Sequence, residues 1–223
     1  MLKDFQGHPY LILGTFIFLI IGLAAALFFH TPMPAIAFHF MIGWLIVSLI
    51  FTWMSWHEFV AGFLIGLFSM MISWRIAGLY GYNTLAYILL IAFILFFSNF
   101  IYCAAQNLKN PTLFFNRLSL EEWQLVFVRL YLGFNFVPHF TEKLFAGTAP
   151  HMEDVNAFIQ LGVPYPDFFV WTAGCCELGA AIALGLGFLI RLGSLGTVFY
   201  LFIATFLGHH FSLGFIWANP GGG

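Results

Sequence analysis

Two stretches decide the fold: residues 121–145, EEWQLVFVRLYLGFNFVPHFTEKLF, and residues 167–191, DFFVWTAGCCELGAAIALGLGFLIR. Each is long enough to cross a bilayer, whose hydrocarbon core takes about 20 residues of helix. Between them they carry Arg129, Lys143, Glu177 and Arg191 among apolar neighbours. A charge at the centre of a spanning helix costs at least ~2.5–3.5 kcal/mol on insertion scales, so it usually faces a partner or a cavity. At 3.6 residues per turn, Arg129, Phe136, Phe140 and Lys143 share one stripe, and Glu177, Leu184, Phe188 and Arg191 share another. If the two helices run antiparallel, Arg129 and Glu177 are expected to meet inside the bilayer.

The composition around this core agrees. Hydrophobic residues make up 62% of the 223 and charged ones only 7%, which excludes a soluble globular chain. Helices satisfy their own backbone in lipid, and the short alternating segments of a barrel are absent. The expected fold is therefore an all-α, polytopic transmembrane helical bundle. A net charge of −2 offers no basic face for nucleic acid. Cys103, Cys175 and Cys176 form no CxxC pair and no zinc spacing; they read as small packing residues.

Seven spans are predicted: Tyr10–Phe29, Ala35–Met54, Glu58–Tyr80, Thr84–Ala105, Trp123–Phe145, Asp167–Ile190 and Leu192 to about Phe211. Turns are expected at His30–Pro34, at Gly81–Asn83 and through the acidic loop Ala146–Pro166. The apolar run at the N-terminus is too long for a signal peptide and reads as a retained first span. Residues 106–122 form a polar linker ending in a capping box, Ser119–Glu122. It separates a four-helix region, 1–105, from a second unit, 123–223. Alternating the loops puts Lys3, Lys109, Arg117 and Arg191 on one side against Arg75 and Lys143 on the other. The positive-inside rule then places the N-terminus in the cytoplasm and the Ala146–Pro166 loop outside, in an inner or plasma membrane.

Residues 129–143, RLYLGFNFVPHFTEK, are followed by Leu161-Gly-Val-Pro164, Glu177-Leu-Gly179, Gly187 and Arg191. This order resembles the DoxX/DoxD family of small membrane proteins, at Arg129, Gly133, Phe136, Lys143, Gly162, Pro164, Glu177, Gly179, Gly187 and Arg191. His209 or His210 looks like the histidine frequent near the end of that family's third helix. The family domain is usually four helices and three are expected before Gly223, so the last is missing here or supplied otherwise. The resemblance implies a quinone as ligand and a link to sulfur compounds such as thiosulfate, by analogy only.

Arg129 and Glu177 are the candidate catalytic pair, able to relay a proton or bind a quinone head group; the alternative is an ion pair that only fixes helix register. His139, one turn before Lys143, suits a quinone carbonyl or an interface. His139, Lys143, His209 and His210 complete the candidate quinone-binding set; adjacent His209 and His210 cannot both face one site. No haem or metal is expected, because bis-histidine ligation needs two imidazoles at matched depth. His57-Glu58 lacks the second histidine of a zincin. The expected function is a membrane subunit of a quinone-linked oxidoreductase, with electrons supplied by a partner protein. The rival is a structural or assembly subunit of a larger complex, in contact with lipid and partner chains.

Overall fold

A computed structural model describes residues 8–28, 33–55, 59–109 and 120–208. It contains eight helices and, among the described residues, no strand: α1 Pro9–Phe28, α2 Ala35–Met54, α3 Phe59–Leu79, α4 Asn83–Lys109, α5 Leu120–Phe145, α6 Thr148–Gln160, α7 Pro166–Leu186 and α8 Ile190–Leu207. The polytopic all-α expectation holds. Six helices, α1–α4, α7 and α8, are long and apolar enough to cross a membrane, against seven predicted. The difference is α5, which has the length at 26 residues but carries Glu121, Glu122, Arg129, Glu142 and Lys143.

The helices form because their sequences can be apolar on every face. Lipid covers one side and neighbouring helices the other, so no strong polar stripe is needed. Hydroxyls inside the spans close on their own helix: Thr15 donates to the Leu11 carbonyl, Ser48 to Trp44 and Ser69 to Ile65. Such back-bonding removes the penalty of an orphan donor in hydrocarbon.

The core runs along α3, the most enclosed span, which packs on α2, α4 and α5 and touches α7. Phe63 stacks on Phe96 with centroids 4.3 Å apart, and Phe68 reaches the α5–α7 seam beside Phe134 and Gly185. On the far side, α1 and α4 are tied at both ends. The His8 amide donates to Asn99 Oδ1 at 2.8 Å, and the Tyr82 hydroxyl donates to the Ala25 carbonyl at 2.6 Å. Helices α1–α4 thus meet α5 and α7 through α3.

Two glycines make the expected turns. Gly81 and Gly162 have φ of 66° and 72°, where a side chain is strained. The amides that follow, Tyr82 and Val163, bond back to Ala77 and Phe158, so each glycine ends its helix in a Schellman motif. The segment expected as the loop Ala146–Pro166 is mostly helical, as α6. Pro150 falls in its first turn, where the missing N–H costs nothing. Met152, Val155 and Ile159 repeat at helical spacing, with Val155 buried.

Candidate functional site

Helices α5 and α7 pack closely against each other. A Cβ added at Gly133 would lie 2.5 Å from the Gly185 Cα, and one at Gly174 would lie 2.7 Å from a Leu144 methyl. Small residues let helix backbones approach in lipid, where dispersion and close packing hold them. The two contacts also set the antiparallel register. Gly133 is level with Gly185 and Leu144 with Gly174, so Thr141 is level with Glu177 and Arg129 with Leu189.

That register separates the expected pair. Glu177 and Arg129 stand about 18 Å apart along the seam, at a rise of about 1.5 Å per residue. The cationic partner of Glu177 is instead Lys143, whose Nζ is 3.1 Å from Oε1. The lysine sits just beyond the level of Glu177, and its flexible stem carries the ammonium back to the carboxylate. From α8, the Tyr200 hydroxyl donates to the same Oε1 at 2.6 Å. Glu177 is 5% exposed, and its Oε2 is buried without a hydrogen-bond partner. A buried carboxylate oxygen left open in this way is costly unless something else fills it.

Arg129 does a different job. Its Nε lies 3.4 Å from the Leu184 carbonyl, and its guanidinium fills the space a Cβ at Gly187 would take. Leu184 is in the last turn of α7, whose carbonyls have no partner within the helix, and Gly187 closes it at φ 76°. A cation there meets the negative end of the helix dipole.

His139 is half-buried on α5 and makes no hydrogen bond or ion pair with the Glu177 cluster. Arg191 is exposed at the start of α8. His209 and His210 lie outside the described residues.

Beside the cluster, α7 and α8 enclose an apolar groove of about 450 Å³. Its walls include Cys176, Gly179 and Ala183 from α7 and Gly193, Thr197 and Tyr200 from α8. Glycines at 179, 193 and 196 leave the room that larger side chains would take. Tyr200 belongs to both parts: its ring lines the groove and its hydroxyl reaches Glu177. The reading of the sequence passed over this residue. The signal was there, because Gly193, Gly196 and Tyr200 fall at i, i+3 and i+7 on one face of α8.

A second polar layer covers the end of α5 that carries Lys143. Arg75 of α3 pairs with Glu142, and the Tyr80 hydroxyl donates to the Phe145 carbonyl. From α6, His151 touches the Lys143 carbonyl and the Asp167 carboxylate. Asp154 is half-buried near Lys143, Glu142 and His151. Burial raises its pKa above the usual aspartate value, against the lowering pull of Lys143.

No curated protein and no solved structure matches the chain significantly. Residues 124–210 match the family model described as DoxX, a segment that runs from the first turns of α5 through α8 and includes Lys143, Glu177 and Tyr200. The DoxX match lies in the second half of this membrane protein.

Proposed function

We propose that this DoxX domain is the membrane subunit of a quinone-linked oxidoreductase and that its quinone site is the groove between α7 and α8. The observation that carries this reading is the buried Glu177 Oε2 with no hydrogen-bond partner, on a carboxylate whose other oxygen accepts from Tyr200, a groove-lining residue. The dimensions fit: ligand pockets run from roughly 300 to 1,000 Å³ and are mostly apolar with a few placed polar groups. Glu177 Oε2 would accept from a quinol hydroxyl. The Tyr200 hydroxyl, whose proton goes to Glu177, keeps an acceptor for a quinol, and the Lys143 ammonium is a donor of the kind a quinone carbonyl takes. Arg129 stands outside this site. The electron donor, of the sulfur-compound class that the family resemblance suggests, would act through a partner protein. The N-terminus is assigned to the cytoplasmic side of the plasma membrane from the distribution of Lys and Arg.

Purification in mild detergent followed by solvent extraction tests the site. The wild type is expected to retain quinone near one per chain, and Tyr200→Phe and Glu177→Gln to lose most of it while still inserting. A wild type that carries none, or variants that carry as much, would overturn the assignment.

One feature favours the structural-subunit reading: among the described residues, α8 packs chiefly on α7. Co-purification of stoichiometric partner chains with no quinone would select that reading instead.

A further inference from the structure

His151 stands in the first turn of α6, and both of its ring nitrogens meet oxygen acceptors. Nδ1 is 3.0 Å from the Lys143 carbonyl, and Nε2 is 2.8 Å from Asp167 Oδ1. A carbonyl can only accept, and so can an ionised carboxylate. A neutral imidazole has one N–H; its other nitrogen can only accept. The two contacts together therefore need one proton more than a neutral ring and an ionised carboxylate hold between them. Whether that proton rests on the ring or on the carboxyl, it closes the second contact.

We infer that His151 is a positioning residue for Lys143 whose grip is closed by one proton: protonated, the His151–Asp167 pair ties the end of α5 to the start of α7, and deprotonated it releases one of them. The surroundings suit such a clasp. The Lys143 carbonyl belongs to the last turn of α5, where carbonyls lack helical partners and a cation is favoured. The Trp171 ring lies 5.1 Å from the imidazole, within the range of a cation–π contact. The His151 side chain is only 13% exposed, so water is a poor substitute for a lost contact. The charged groups of this layer are Asp167 from α7, Lys143 and Glu142 from α5 with Arg75 from α3 paired to Glu142, and Asp154 from α6, whose own neighbours include His151 and Glu153.

The clasp acts on the buried pair because Lys143 supplies both ends of the link. Its carbonyl is held by His151 and its ammonium meets Glu177 Oε1. The inference rests on these contacts, whatever the groove binds.

The test uses the full chain in lipid nanodiscs with ¹⁵N-labelled histidine, followed by NMR as the pH is varied. The His151 signal is assigned by its loss in His151→Gln. Amide hydrogen exchange over residues 141–147, corrected for its intrinsic pH dependence, reports the end of α5. The wild type is expected to lose protection there as pH rises, in one deprotonation step that coincides with the His151 signal. Asp167→Asn supplies an N–H donor for a neutral ring and a carbonyl for a charged one, so the step should disappear. His151→Gln keeps two N–H donors but cannot titrate, so its protection should stay flat. A step that persists in Asp167→Asn, or protection in the wild type that ignores the His151 signal, overturns the inference. Should His151→Gln fail to accumulate, Asp167→Asn decides alone, since the Asp167 side chain is 69% exposed and its replacement spares the core.

Discussion

Lys143 Nζ and Glu177 Oε1 lie 3.1 Å apart across the α5–α7 seam, with both side chains largely hidden. The pair couples the polar layer at the end of α5 to the groove beyond Tyr200. Removing one partner from a buried pair leaves an uncompensated charge, at a cost of about 3–5 kcal/mol. Lys143→Met should therefore lower stability by roughly that much. Adding Glu177→Gln to it should restore much of the loss, because the second change removes the orphan charge. Reversible unfolding in mixed detergent micelles measures both. Equal losses in the single and double variants would show that the two side chains do not interact.

Arg129 should behave as a helix cap. Arg129→Gln gives up the cation at the end of α7 and is expected to cost about 1 kcal/mol. It should leave bound quinone unchanged, since Glu177 is roughly 18 Å away along the seam at the ordinary helical rise. Loss of quinone in this variant at unchanged stability would return Arg129 to the site.

The contrast between those two cations shows what the sequence made legible. Helix class, most spans and the turns at Gly81 and Gly162 follow from apolar run length and glycine placement, which are local properties. The need of Glu177 for a cation was also legible, because a carboxylate among Gly, Ala and Cys has few other ways to be accommodated. Which cation it meets depends on register between helices. Register is set by Gly133 against Gly185 and Gly174 against Leu144, contacts that appear only when the helices are brought together. Periodicity puts Arg129 and Lys143 on one stripe and cannot choose between them. Helix α6 was missed for a different reason: its acidic, half-polar composition reads as a loop when spans are sought by apolar length. His209 and His210 lie outside the described residues.

The seam itself makes a graded prediction. Gly133→Ala puts a methyl 2.5 Å from the Gly185 Cα, where backbone faces backbone and neither side can yield by rotating a side chain. Overpacking of this kind costs about 1–3 kcal/mol. Gly179→Ala meets nothing within 4 Å and should change stability by no more than about 0.5 kcal/mol. The same micelle unfolding measurement compares them. Similar losses at the two positions would mean that α5 and α7 do not approach at Gly133.

Asp154 gives the pH dependence its sign. Its pKa is raised in the folded chain, chiefly by burial, with Glu142 and Glu153 adding to the rise and Lys143 and His151 opposing it. A carboxyl with a raised folded-state pKa favours the fold while it is protonated in both states. That contribution is lost as pH climbs through the folded-state value, because the native state then has to hold a charge it solvates poorly. Asp154→Asn removes this pH-dependent penalty. The variant should be more stable than the wild type near neutrality, and the difference should vanish as pH falls to about 4, the ordinary aspartate range. Thermal unfolding of the two proteins across that range is the measurement. A variant that is less stable at neutral pH and recovers in acid would reverse the sign, and would mean that attraction to Lys143 and His151 outweighs burial at Asp154.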